Sequence, residues 1–218
     1  MTTGKFIVID GTDGSGKTTQ NRLLHERLKA EGLDVVVFNF PQYGKKSAGL
    51  VENYLNGDYG TAEEVGPYRA SIFFACDRYD ASFAIKEALS AGKIVLTDRY
   101  VTANMGHQGG KLTDRHDRKE YFTWLENLEF VQFGIPKPDL NIILHVAPEI
   151  GQRLVGVRGN KQDIHEADIN HLKNAEQAYL EIAKIMPNMV LVECVKDDDI
   201  MARETIAELI WQEVIKII

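Results

Sequence analysis

The sequence has little cysteine, no long apolar run and no excess of positive charge, and each shortage removes a class of protein. Two cysteines, Cys76 and Cys194, among 218 residues cannot form a disulfide framework, and neither has a neighbour at a metal-ligand spacing. They read as reduced, buried thiols in a cytoplasmic protein. No apolar stretch approaches the roughly 20 residues of a membrane-spanning helix. The N-terminus "MTTGKFIVID" leads straight into a strand, without a basic segment followed by a long apolar one, so no secretory signal is expected. A formal net charge of -7 argues against a general nucleic-acid binder, although it leaves room for a local basic pocket. No Pro/Gly/Ser-rich linker divides the chain, so residues 1–218 are expected to form a single domain.

What is present suits one sizeable core: 44% of residues are hydrophobic, enough at this length to bury a substantial interior. Short apolar runs rich in β-branched residues alternate with helical periods. Phe6–Ile9, Asp34–Asn39, Lys93–Thr97, Asp139–Val146 and Met189–Glu193 read as five buried strands. Between them, a helix beginning at Lys17 carries Leu24 and Leu28 on one face and stops at Gly32. Further helices are expected over Pro67–Ser90, Glu120–Phe133, from Pro148, over 166–185, and from Asp199 to the end. Gly156–Asp163 reads as a polar loop. Strands separated by helices imply right-handed crossovers and a parallel sheet covered on both faces. The expected fold is therefore α/β, three layers with a five-stranded parallel sheet flanked by helices, and the phosphate-binding motif Gly11–Thr19 after the first strand marks it as a P-loop NTPase fold. In such sheets ligands bind beyond the carboxyl ends of the strands.

The strongest motif follows the first strand. "GTDGSGKTT", comprising Gly11, Thr12, Asp13, Gly14, Ser15, Gly16, Lys17, Thr18 and Thr19, matches G-x-x-x-x-G-K-[ST] with a strand before it and a helix after it. Glycines let the backbone wrap phosphates closely, and successive N–H groups at a helix N-terminus form a concave positive site. Lys17 should reach the β- and γ-phosphates of a nucleoside triphosphate, and the Thr18 hydroxyl should bind Mg²⁺. "NKQD" at Asn160–Asp163 looks like a guanine-recognition motif but does not follow a buried strand, so it is read as coincidence.

A second site is suggested by weaker signals. Asp98-Arg99-Tyr100 ends the third strand. A carboxylate there can hold Mg²⁺ or its water, and an adjacent arginine can grip a phosphate with two hydrogen bonds. Phe74 and Arg78 are four apart on a helix and share a face, so a ring and a guanidinium could hold a base. Each of these also has an ordinary structural reading.

Taken together, the motifs resemble the thymidylate kinase family over nearly the whole chain. The matching segments occur in order: the phosphate loop with its acidic residue, Phe40-Pro41, "FFACDR" at Phe73–Arg78, "DRY" with the downstream "QGG", "GIPKPDL" at Gly134–Leu140, and an arginine-containing loop before Asp163 and Glu166. The resemblance implies transfer of a phosphoryl group from ATP to dTMP, with Mg²⁺, in a homodimer without nucleic-acid or membrane partners. It implies that Phe74 stacks on thymine and Arg78 meets a base-edge oxygen. Asp13 holds the acceptor's sugar hydroxyl, and Arg99 bridges the acceptor phosphate and the transferred group. Asn104 and Gln108 lie along the base, while Phe40, Pro41, Tyr43, Tyr100 and His107 line the acceptor side. Thr18 and Asp98 serve the metal. A short lid at about 153–166 would place Arg153 over adenine and Arg158 on the phosphates, supplying a charge that Gly14 does not.

Three positions depart from that pattern. His145 stands where the family strand carries Asp, Ala103 where Ser is frequent, and His107 where Tyr or Phe is common. His145 is expected to be a satisfied strand-end histidine. Two alternatives remain at this level: a deoxynucleoside kinase or other P-loop nucleotide kinase, and a nucleotide switch without transfer activity. The segment "NFPQYG" after the second strand has no carboxylate, which a neutral hydroxyl acceptor would want as a base. A switch would not need a second nucleotide pocket.

Overall fold

The computed structural model describes residues 4–156, 169–197 and 199–218. The expected loop at Gly156–Asp163 and Arg158 therefore fall wholly or almost wholly outside the described residues, as does most of the proposed lid.

Five parallel strands form the central sheet in the order β2-β3-β1-β4-β5: β1 (Lys5–Gly11), β2 (Val35–Asn39), β3 (Ile94–Asp98), β4 (Leu140–His145) and β5 (Met189–Glu193). All five agree with the runs read from the sequence to within a residue or two at their ends. The central strands are apolar on both faces because helices cover both. Alternate residues of β1 and β4 accordingly enter two different cores. Phe6, Val8 and Ile143 pack with Tyr100, Met105, Tyr121 and Tyr179 on one side. Ile7, Ile9, Ile142 and Leu144 pack with Leu24, Leu28, Ile210 and Trp211 on the other. Eight helices are described: α1 (Lys17–Ala30), α2 (Gly49–Asn56), α3 (Ala62–Ser90), α4 (Val101–His107), α5 (Arg115–Glu126), α6 (Pro148–Gly156), α7 (Ile169–Ile185) and α8 (Arg203–Val214).

The helices depart from expectation in instructive places. α3 starts at Ala62, capped by Thr61, whose side chain accepts from the Glu64 N–H while Glu64 reaches back to the Thr61 N–H. It is broken at Gly66 (φ 74°, ψ 164°), so the segment from Pro67 onward is the helix expected from the sequence and 62–65 is a capped turn before it. α5 begins five residues earlier than expected, at a cap where Asp114 accepts from the N–H groups of His116 and Asp117. It runs into a π-helical turn, Asn127–Gln132. The final helix starts at Arg203 rather than Asp199, because Val195–Lys196 and Asp199–Ile200 pair as the short antiparallel hairpin β6–β7. α2 and α4 have no counterpart among the expected elements.

Candidate functional site

At the carboxyl end of β1, Asp10 fixes where the phosphate loop begins. Its carboxyl is fully buried and accepts from the Gly11 N–H (2.8 Å), the Tyr179 hydroxyl (2.9 Å) and the Thr102 hydroxyl (2.5 Å). Burial pushes this carboxyl above its ordinary range, against the opposing pull of Arg99 and Lys17. The loop then turns through Gly14 (φ 81°) and Gly16 (φ 88°), backbone conformations that favour glycine. At Gly14 a Cβ would stand 2.3 Å from the carbonyl oxygen of Gly151 in α6. The same packing of α6 on the loop that demands glycine leaves no space for a side-chain cation at that position. The Ser15 hydroxyl is buried with no partner among the described residues.

Three charges converge beside the loop. The Lys17 ammonium donates to the carbonyls of Gly11 (3.0 Å) and Thr12 (2.8 Å) and stands 3.6 Å from Asp13. The Arg99 guanidinium forms an ion pair with Asp13, and its other nitrogen lies 3.2 Å from His107 Nε2. Burial acts to raise the Asp13 carboxyl, but Arg99 and Lys17 outweigh it and hold the group well below the carboxylate range. The Lys17 ammonium is shifted downward, first by burial and then by repulsion from Arg99. Arg99 has φ 65°, which costs a non-glycine residue of order 1–3 kcal/mol. Its N–H is secured on the Ile9 carbonyl at 3.0 Å. Strain is thus stored where the end of β3 turns toward the loop.

Thr18 and Asp98, expected to serve a metal, meet directly: the Thr18 hydroxyl donates to Asp98 Oδ2 at 3.1 Å. A hydroxyl and a carboxylate next to a phosphate cradle are the hard oxygen donors that Mg²⁺ takes, so these residues fit the ion. Thr12 is buried and Thr19 half-buried within the same segment.

The acceptor-side residues lie on α3, α4 and the turn after β2. That turn is anchored by Asp77, which is buried and accepts from the Gln42 N–H (2.8 Å), the Gln42 amide (3.1 Å) and the Ser47 hydroxyl (2.6 Å). Phe40 is buried and Pro41 half-buried, joined by a cis peptide, and Tyr43 is exposed. Phe74 is half-buried, its ring edge-on to Tyr54 at 6.2 Å. Arg78 is only 1% exposed. Its Nε and Nη2 bind the two oxygens of Glu129 at 2.7 and 2.6 Å, and its Nη1 donates to the Tyr100 carbonyl at 3.3 Å. On α4, Asn104 donates to the Ser71 carbonyl, and just after it Gln108 Oε1 is buried with no partner among the described residues. The His107 ring stacks at 5.7 Å on His171 of α7.

Two expected site residues have protein partners in this structure. Tyr100 is fully buried, with its ring against Phe6 and Phe40 and its hydroxyl on the Pro136 carbonyl (3.1 Å). Its side chain is part of the core, and its carbonyl accepts from Arg78. Arg153 is exposed on α6, 3.9 Å from Asp199 of the hairpin. His145 bridges Glu193 (2.7 Å) and Glu176 (2.8 Å), as a satisfied strand-end histidine should. Those hydrogen bonds raise it to about 9. The sequence reading passed over Asp10, Asp77, Glu129 and Tyr179. No local pattern marks them, because their side-chain partners lie 30 to 169 residues away.

Comparison with known proteins gives this arrangement a family. A family model described as thymidylate kinase matches residues 9–202. The thymidylate kinase of Nitrobacter hamburgensis is 33% identical over 212 residues, spanning 95% of this chain and 86% of the relative. That of Mycobacterium tuberculosis is 31% identical over 184 residues, spanning 82% and 85%. A solved thymidylate kinase from Candida albicans shares the fold with a TM-score of 0.77, covering 98% of this chain and 92% of its own, at 21% identity. The phosphate loop, the Asp13–Arg99 pair and the α3–α4 residues all fall inside the matched span, and the chain belongs to the thymidylate kinase family.

Proposed function

We propose that the protein transfers the γ-phosphoryl group of ATP to the 5′-phosphate of dTMP, giving ADP and dTDP. What supports this reading is a glycine-shaped phosphate loop at the carboxyl end of β1 together with buried polar side chains on α3 and just after α4 that have hydrogen-bonding capacity left over among the described residues. Of the five N–H donors of Arg78, three have acceptors among the described residues, which leaves two. Gln108 Oε1 is an acceptor with no donor among the described residues. Buried polar groups normally find partners, and the edge of a pyrimidine, with carbonyl oxygens and an N–H, supplies both kinds. A switch protein has no use for such a pocket.

The acceptor phosphate is already an anion, so no strong general base is required, and catalysis is positioning plus charge neutralisation. Lys17 would leave the Gly11 and Thr12 carbonyls for the triphosphate. Arg99, held by Asp13 beside the loop, would bridge the acceptor phosphate and the transferred group. Mg²⁺, held through Thr18 and Asp98, would offset charge on the phosphates. Asp13 is ionised by its neighbours and can accept from a sugar hydroxyl. Because Gly14 cannot carry a side chain, the remaining positive charge on the transferred group is assigned, by family resemblance, to Arg158 with Arg153 at the adenine. The deoxynucleoside-kinase alternative would need a carboxylate base after β2, and the turn there has Pro41, Gln42 and Tyr43 instead.

The assembly is proposed to be a homodimer in the cytoplasm. α3 supports this: Ile72, Tyr79 and Phe83 are 39%, 42% and 60% exposed, and with the half-buried Cys76 they repeat at helical spacing along one face. Apolar rows of this kind mark contact surfaces. Chromatographic identification of dTDP formed from ATP and dTMP tests the reaction. Its appearance should require Mg²⁺ and cease when the ion is chelated.

A further inference from the structure

α5 does not end in an ordinary cap. It widens into the π-helical turn Asn127–Gln132, and Glu129 within that turn is completely buried. π turns are rare and are frequently found at functional sites. The placement of Glu129 is what this one achieves. Both its carboxylate oxygens are used on one edge of the Arg78 guanidinium, at 2.6 and 2.7 Å. A buried ion pair is a weak source of stability, since removing two charges from water offsets most of their attraction. Stability alone therefore gives little reason to hold a 1%-exposed arginine against a fully buried glutamate.

The geometry supplies another reason. A carboxylate that grips Nε and Nη2 together fixes the plane and rotation of the guanidinium. The Tyr100 carbonyl on Nη1 secures the other end. One N–H on Nη1 and one on Nη2 remain, pointing in directions Glu129 has set. Without the clamp, the guanidinium could rotate about its last torsions or turn toward other acceptors, and the two donors would lose their aim.

We propose that Glu129 is a positioning residue for the acceptor: it orients Arg78 so that its two remaining N–H groups meet a carbonyl oxygen of the bound base. This rests on the acceptor reading of Arg78 given above. Glu129 touches neither substrate nor the transferred group, so its removal should act on acceptor binding and spare the chemical step.

Steady-state kinetics on the full chain test this, with folding checked by circular dichroism and thermal melting. Glu129→Gln should raise the KM for dTMP at least tenfold, leave kcat within threefold and leave the KM for ATP unchanged. Glu129→Asp keeps the charge in the core but shortens its reach. It should raise the dTMP KM by a smaller factor, at least threefold, and it carries the test if the glutamine variant does not fold. In an Arg78→Ala background, adding Glu129→Gln should change the dTMP KM by less than twofold, because the clamp has nothing left to orient. A dTMP KM within twofold of the parent in both single variants would overturn the proposal. So would a rise that appears in full on the Arg78→Ala background. If Arg78→Ala alone leaves the dTMP KM unchanged, the acceptor reading of Arg78 fails and this inference falls with it. If Arg78→Ala raises it while the Glu129 variants do not, only the role of Glu129 fails.

Discussion

The two halves of the site are held ready in opposite ways. At the phosphate loop, the polar groups proposed to act are occupied by protein groups: Lys17 by the carbonyls of Gly11 and Thr12, Arg99 by Asp13, and the Thr18 hydroxyl by Asp98. Between α3 and α4, among the described residues, Arg78 is clamped by Glu129 with two donors to spare, and Gln108 has a spare acceptor. A triphosphate must displace existing bonds, and its many charges can do so. A base brings only a few neutral polar groups, so its site must be set in advance. On the proposed function, donor binding would depend on charge exchange and acceptor selection on prior orientation.

The largest expected effect breaks the donor half. Lys17→Ala or Arg99→Ala should lower kcat by about a thousandfold or more, the scale seen when charge stabilisation of a transferring phosphoryl group is removed. Turnover with saturating ATP and dTMP checks it. The next prediction separates the halves. Phe74→Ala removes a stacking ring worth about 1–3 kcal/mol per base, so calorimetry should show dTMP affinity falling roughly 5- to 150-fold while ATP affinity holds. Equal loss of both affinities would dissolve the distinction between the halves. A smaller effect probes the link between them: Tyr179→Phe removes one donor to buried Asp10 and should cost about 1 kcal/mol of stability, read as a lowered denaturation midpoint with an unchanged slope.

The smallest effect lies outside both halves and serves as a control. His145, raised to about 9 by hydrogen bonds to Glu176 and Glu193, binds its proton more tightly in the folded than in the unfolded chain. Its contribution is therefore fully present below the ordinary histidine value of about 6.5 and is lost as pH rises through 9. Thermal melting from pH 6 to 10 should show a decline between those values that is flattened in His145→Gln. kcat/KM for dTMP should not follow it.

The contrast between the halves also explains what the sequence made legible. The phosphate loop is contiguous, so its glycines, Lys17 and Thr18 declare themselves in nine residues. The strands show as apolar runs because the sheet is covered on both faces. α4 was hidden for the same reason that it matters: Val101–His107 is buried on every side, so it has no polar face and no helical period, and Gly106 argues against a helix. Tyr179 packs where a Cβ on Gly106 would lie, 2.4 Å from its ring, so the glycine serves a contact made 73 residues later in the chain. Phe74 and Arg78 could be paired from their spacing. Glu129 could not, because a π turn has no local signature and its partner lies 51 residues away. The Thr61–Glu64 capping box, by contrast, was present in the sequence and marks the true start of α3.

If the residues of α3 and α4 select a thymine-bearing monophosphate as acceptor, the selection should be visible in turnover. The decisive experiment is coupled measurement of ADP release from ATP and Mg²⁺ with dTMP, dUMP, AMP and thymidine. The highest kcat/KM is expected with dTMP, a lower value with dUMP, which lacks only the methyl group, and release with AMP or thymidine no faster than with water as acceptor. Thymidine as the best acceptor, or ADP release that no acceptor accelerates, would contradict it.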